Sequence, residues 1–310
     1  MGEPREPTEQ DVEILDAISA VYGRHEHARA LHSRGVFCDA TFTATPEAAA
    51  LTRAAHMQGD PVPALVRFST AGGNPDGHDG EREGRGIAVK FRPAAGEETD
   101  LLCVTSPTFL VRTPEDFLEM MRARRPDPET GAPDMEKVGA YLGAHPEAMP
   151  AVQANLGVEP PASFARLVYN SLHSFRLVDS QGNGRWVRYR WEPEAGEERI
   201  PDDEAMARPP DYLRTELAER TAAGPAVFRL ILILGAEGDP TNDPAEPWPD
   251  DRERLSAGTL EVTGIAEDPE EGGGVVVFDP TNVGDGIELP EDPVLFARSR
   301  AYSISASRRA

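Results

Sequence analysis

Residues 62–92 read VPALVRFSTAGGNPDGHDGEREGRGIAVKFR. Each end is a short apolar run, 62–70 and 86–92, and residues 71–85 between them are rich in Gly and Asp. That pattern predicts two strands joined by a loop. Working outward, GVFCDATFTAT (35–45) alternates as a strand does, and DLLCV (100–104) and PTFLVR (107–112) read as two more. HSFRLVD (173–179) and RWVRYRW (185–191) flank the turn SQGNG as a hairpin, and AVFRLILIL (226–234) and GGGVVVFDPTN (272–282) add further strands. Strands follow strands instead of alternating with helices. The class is therefore α+β, an antiparallel barrel or large sheet with helices attached.

The predicted helices lie around these runs. Residues 9–23 place Val12, Leu15, Ile18 and Tyr22 on one stripe with Ile14 beside it. Thr45 caps a helix that starts at Pro46 and runs towards Met57. Thr113-Pro114-Glu115-Asp116 opens another, with a cap, a first-turn proline and early acids. Residues 130–165 read as mainly helical, 212–222 as a helix, and 291–309 as a terminal helix. The acidic, proline-rich stretches 192–211 and 237–254 read as surface loops.

Composition excludes several classes. The 310 residues carry 54 acidic and 31 basic side chains, a net charge of -23, which argues against nucleic acid and anionic membrane surfaces. Cys38 and Cys103 are too few for a disulfide framework, so reduced thiols in a reducing compartment are expected. The N-terminus has no signal-like apolar core, and VFRLILILGA (227–236) is too short for a membrane span and contains Arg229. The expectation is a soluble cytoplasmic protein, one unit over 1–310, with residues 1–28 as a helical arm.

In this acidic chain the terminal stretch DPVLFARSRAYSISASRRA stands out. On a helix Arg298 and Tyr302 are i and i+4, and Arg309 falls two turns after the tyrosine. Basic residues there complement the helix dipole, a reading that covers Arg300 and Arg308. A cation one turn before a tyrosine does more, because it favours the tyrosinate, an axial ligand for haem iron. Arginine forks also suit carboxylates. Arg29 and His32 are i and i+3 just before the first strand; Arg67 and Ser69 share a strand face. A serine there can accept the second N–H of a histidine ring. Phe109 and Phe117 are aromatics able to cover a flat apolar ligand. HEH at 25–27 has the wrong spacing for a helical metal pair.

Taken in order, RALHSRGVFCDATF, VRFSTAGG…GRGIAVKF, DLLCVTSPTFLVRTPEDF, SLHSFRLVDSQG, FDPTNVGDGI and RSRAY resemble blocks of the haem catalase family. The short chain resembles its minimal branch, the catalase-related peroxidases. The resemblance implies a haem-filled antiparallel β-barrel of the catalase type with peripheral helices, and haem b as cofactor. It makes Tyr302 the iron ligand, Arg298 its phenolate partner, His32 the distal catalytic histidine and Ser69 its hydrogen-bond partner. Arg29, Arg67 and Arg309 become the arginines near the propionates. Phe117 would stack over the haem and Phe109 form an apolar wall. Where catalases carry a distal asparagine pair, this chain has Val104-Thr105, and Thr105 is the one polar side chain left to replace the amide.

The implied activity is reduction of hydrogen peroxide or organic hydroperoxides by a small organic electron donor, with weak or no catalase activity. His32 would serve as base and then acid. Other readings are a true catalase, a hydroperoxide isomerase or lyase on the same fold, and a non-catalytic haem-binding protein. The donor and any homo-oligomer are left open.

Overall fold

The apolar runs at 62–70 and 86–92 resolve into two strands of one sheet, buried on both faces. Val66 and Phe68 on one strand and Ile87, Val89 and Phe91 on the next are buried in one core. Leu65, Arg67 and Ser69, with Gly86 and Ala88, face the other way. The computed structural model describes residues 6–309. In chain order its elements are α1 (Glu9–Tyr22), β1 (Gly35–Ala44), α2 (Pro46–Ala49), β2 (Val62–Thr70), β3 (Arg85–Phe91) and β4 (Thr99–Val104). Then come α3 (Pro114–Ala123), α4 (Met135–Ala144), α5 (Met149–Leu156), β5 (Tyr169–Asn170), β6 (Phe175–Val178) and β7 (Gly184–Pro193). The chain continues with α6 (Asp202–Ala207), α7 (Tyr212–Ala223), β8 (Ala226–Leu234), β9 (Arg254–Ile265), β10 (Ile287–Glu288) and α8 (Pro293–Ser307).

Every strand pairing is antiparallel, and β7 pairs with both β5 and β8. The path β7-β5-β4-β3-β2-β1-β9-β8 thus returns to β7, a closed eight-stranded barrel, with β6 and β10 continuing from β7. The barrel interior holds Phe42, Phe68, Phe91, Tyr169, Trp191 and Phe228, none more than 2% exposed. This corrects the expectation of a haem-filled barrel. The lumen is packed with the chain's own aromatics, several in ring contact, such as Phe42 with Trp191 and Phe68 with Phe164.

Several predicted elements change. PTFLVR (107–112) is not a strand: the Phe109 N–H donates to the Pro244 carbonyl, and Val111 is buried in the cluster formed by α1, α3 and α8. Residues 272–282 pair with no strand. One backbone bond, from the Asp100 N–H to the Asn282 carbonyl (2.8 Å), and side chains hold this segment instead: the Asp100 carboxylate accepts from the Asp279 N–H (2.9 Å) and from Asn282 (3.2 Å), while pairing with Lys90. The predicted helix 46–57 stops after Ala49 and resumes only as a single turn at Ala55–Met57. Helix is confined to α4, α5 and short turns within 130–165, and 192–211 contains the short α6. β9 was not foreseen at all, although it closes the barrel between β1 and β8.

Helix α1 is held by charge as well as packing. Its buried residues are Asp11, Ile14, Leu15 and Ile18, while Val12 is 39% exposed. Asp11 accepts from Arg300 at 2.6 and 3.1 Å, and Arg308 pairs with Asp16 at 2.9 Å. Arg300 and Arg308 therefore tie α8 to α1, and the dipole reading of these two is replaced. Among the described residues no helix is long and apolar enough to cross a membrane.

Candidate active site

Between the outer face of β2–β4 and helices α1 and α8 lies a cavity with an empty volume of about 820 Å³. Leu15, Ile18, Ala88, Leu102, Val104, Val276, Phe278 and Ala301 make its wall largely apolar. His32 and Tyr302 both line it, as do Ser69, Arg29, Arg67, Arg298 and Arg309.

The histidine is placed by the strands beneath it. Ser69 pairs across the ladder with Gly35 on one side and Gly86 on the other. A Cβ on Gly86 would lie 3.0 Å from Ser69 Oγ and 3.1 Å from His32 Cε1, and one on Gly35 would lie 2.6 Å from the Arg67 guanidinium. Both glycines make room for the groups they flank. His32 itself has φ +54, a left-handed backbone unusual for a non-glycine residue. Its N–H donates to the Ala71 carbonyl (3.3 Å), and its carbonyl accepts from Arg67 Nη2 (2.9 Å). His32 Nδ1 lies 2.9 Å from Ser69 Oγ. Burial, reinforced by Arg67 and Arg298, pushes the imidazole down to about 3, so the ring is neutral at neutral pH.

The tyrosine is held by a chain of three side chains, Arg298, His173 and Asp292. Arg298 Nε and Nη2 donate to Tyr302 Oη at 3.2 and 2.9 Å. Arg298 Nη1 lies 2.8 Å from His173 Nε2, and His173 Nδ1 lies 2.6 Å from Asp292 Oδ2. A guanidinium only donates, so His173 Nε2 must accept and Nδ1 must carry the proton given to Asp292. The histidine is neutral, its pKa lowered chiefly by burial against the opposing pull of Asp292. Asp292 Oδ1 meanwhile caps α8, accepting from the Val294 and Leu295 N–H groups. His173 and Asp292 had no role in the sequence reading, although His173 sits in SLHSFRLVDSQG and Asp292-Pro293 is a helix-start pair.

At the arginine end, Glu270 accepts from Arg29 Nη2 and from Arg309 Nη1, each at 2.9 Å. Arg67 is 5% exposed, burial pushes it down to about 9 with Arg29 adding to the effect, and its Nε is buried without a partner.

Three expected residues are not in the cavity wall. Thr105 Oγ1 accepts from the Arg85 N–H at 3.1 Å and stands outside the cavity, so its proposed replacement of a distal amide is corrected. Leu102, Cys103 and Val104 line the cavity, and Thr105 stands one residue past the end of β4. Phe109 and Phe117 stack on each other at 6.1 Å within the helical cluster. Leu15 and Ile18 of α1 belong to that cluster and to the cavity wall, and they supply the apolar cover assigned to the two rings.

Matched along the sequence, the family model described as catalase covers residues 3–310. The chain belongs to the catalase family. It is 38% identical over 301 residues to a catalase-related peroxidase of Mycolicibacterium paratuberculosis, covering 96% of this chain and 94% of that one. A catalase-related peroxidase of Synechococcus elongatus is 35% identical over 297 residues, covering 96% and 88%. A Pseudomonas aeruginosa catalase is 28% identical, covering 95% of this chain but 59% of its own. The crystal structure of a fungal catalase shares the fold, with TM-score 0.82 at 23% identity over 100% of this chain and 66% of that one.

As a member of the catalase family the chain is an oxidoreductase that acts on peroxide with a haem iron. The site fits such a group. An apolar slot has a phenol oxygen on one side and a neutral imidazole on the other, and one end holds a buried arginine with an unpartnered N–H.

Proposed function

We propose that this member of the family is a peroxidase, reducing hydrogen peroxide or organic hydroperoxides with a small organic electron donor, and that it evolves little oxygen from hydrogen peroxide alone. The observation that carries the reading is Val104. Apolar Val104 lines the cavity on the distal side, and no Asn, Gln, Asp or Glu is among the lining residues. One hydroperoxide needs a base that becomes an acid. Oxidising a second peroxide needs another polar group to hold it, and an apolar wall disfavours that.

Haem b, when bound, would supply the redox chemistry of its iron. The chain's residues do the rest. Tyr302 Oη is the iron ligand, and Arg298, fixed by His173 and Asp292, shares the phenolate charge through two N–H donors. Arg29, Arg67 and Arg309 hold the carboxylates of the group. His32 Nδ1 faces Ser69 Oγ at 2.9 Å; with the proton on Nδ1, the Nε2 lone pair is left for the cavity. Nε2 takes the proton of the hydroperoxide and returns it to the departing oxygen, which leaves as water or an alcohol. The donor then provides two electrons and two protons, so one hydroperoxide and one reduced donor give alcohol (or water), water and oxidised donor.

A steady-state comparison of hydrogen peroxide with organic hydroperoxides, each with and without donor, tests this. Donor oxidation should outpace oxygen evolution. Oxygen evolution from hydrogen peroxide that exceeds donor oxidation would overturn it.

A further inference from the structure

Four arginines line the cavity and no carboxylate does. Arg298 is matched to the tyrosine oxygen, which leaves Arg29, Arg67 and Arg309. Behind the wall stands Glu270. Its Oε1 accepts from Arg29 Nη2, Arg309 Nη1 and the Val276 N–H, each at 2.9 Å, and Oε2 pairs with Arg29 Nη1. Arg29 Nη2 also donates to the Val276 carbonyl at 3.1 Å. The carboxylate thus joins three parts of the chain: the segment after α1, the end of α8 and the stretch that follows β9. The side chains of Arg29, Arg309 and Glu270 are 15%, 8% and 17% exposed, so these contacts are poorly screened. Burial alone would raise the pKa of Glu270, but Arg29 and the Val276 N–H hold it below its ordinary value, and Glu270 is charged at neutral pH.

We propose that Glu270 is a positioning residue for the cofactor: it clamps Arg29 and Arg309 side by side and offsets part of the charge of the three arginines, which leaves a positive cluster for a porphyrin bearing two carboxylates. Without the clamp Arg29 and Arg309 repel each other and lose their common anchor. Both can then swing towards water and release the cofactor's carboxylates. The inference rests on the reading that these arginines hold those carboxylates.

The test follows haem transfer from the holoenzyme to an excess of a high-affinity haem-scavenging apoprotein, for wild type and Glu270→Gln, each loaded with haem or with haem dimethyl ester. Glu271→Gln in the same loop is the control, expected to match wild type. Glu270→Gln should lose haem about tenfold faster, the factor that corresponds to ~1.4 kcal/mol of binding. The ester should leave wild type faster than haem does, and Glu270→Gln should not accelerate it further. A Glu270→Gln enzyme that keeps haem as long as wild type, or longer, overturns the clamp. If the ester and haem leave wild type at equal rates, it is the arginine reading beneath it that fails. Glu270→Asp, which keeps the charge, serves if the Gln variant does not fold, with a smaller acceleration expected and equal haem loss counting against the clamp.

Discussion

Asp292 uses both of its carboxylate oxygens as acceptors, Oδ2 for His173 (2.6 Å) and Oδ1 for the first turn of α8 (2.9 and 3.2 Å). Asp292→Asn keeps the shape but leaves one acceptor for two tasks. If the amide N–H₂ faced His173, the ring would switch tautomer and place an N–H against the Arg298 N–H, which cannot accept. A buried charged donor left unpaired costs more than about 3 kcal/mol. If the amide N–H₂ faces the helix instead, the loss is that of a cap, about 1 kcal/mol. The cheaper arrangement wins, so Asp292→Asn should lose about 1–2 kcal/mol of stability while the Arg298–Tyr302 contact persists. Asp292→Leu offers no acceptor at all, frees the His173 tautomer and should release Arg298. Chemical denaturation measures the first effect, and the haem absorption spectrum with haem retention reads the second. The expected result is a native spectrum for Asn and a shifted, haem-poor one for Leu. Equal spectral change in both variants, or a fully stable Leu variant, would refute the relay.

Three further outcomes follow from the geometry. Gly86→Ala adds a Cβ within 3.1 Å of both Ser69 Oγ and the His32 ring, and it should lower peroxide turnover at least tenfold while leaving haem content near normal, measured by stopped-flow mixing with peroxide. His32→Ala should retain haem and lose peroxide cleavage; reaction with peroxide at the native rate would remove His32 from the mechanism. His56 is buried against Phe91 at 4.4 Å, and burial pushes it down to about 3 from an unfolded value near 6.5. The unfolded chain therefore takes up a proton first, and stability falls as the pH drops from about 6.5 towards 3, by ~1.4 kcal/mol per unit for this group. His56→Phe should spare about 2 kcal/mol of that loss at pH 5, and urea titrations of both proteins at pH 5 and pH 8 will show whether it does.

Strands were legible at β2 and β3 because both of their faces are buried, one in the barrel core and the other at the cavity, and a short apolar run bounded by a Gly- and Asp-rich loop reports such a strand. β9 was illegible for the opposite reason. RLSAGTLEVTGI mixes Ser, Gly and Glu into both faces, and a register shift interrupts its ladder with each neighbour. Residues 272–282 misled in turn: three valines in a row look like a strand, yet ion-paired side chains, not a backbone ladder, hold them. Thr105 stands one residue past β4, its hydroxyl bonded to the Arg85 N–H and outside the cavity, and a match by motif position alone overlooked that. The depth to which α1 reaches, with Leu15 and Ile18 in the cavity wall, depends on its contacts with α3 and α8, and no local pattern encodes those.

The four arginines around Tyr302 make the same point about charge. Spacing separates Arg298 from the rest, since i and i+4 on one helix fixes a contact with the tyrosine whatever the remainder of the chain does. The other three depend on partners far away in sequence: Asp11 for Arg300, Asp16 for Arg308, and Glu270 for Arg309. Asp11 is fully buried, so Arg300 serves an otherwise costly buried carboxylate; breaking such a pair from one side costs ~3 kcal/mol or more. That contact fixes α1 against α8, and α1 in turn brings Leu15 and Ile18 into the cavity wall. An arginine with no atom at the reacting centre thereby shapes the slot, and its role became visible only when the first helix and the last were seen together.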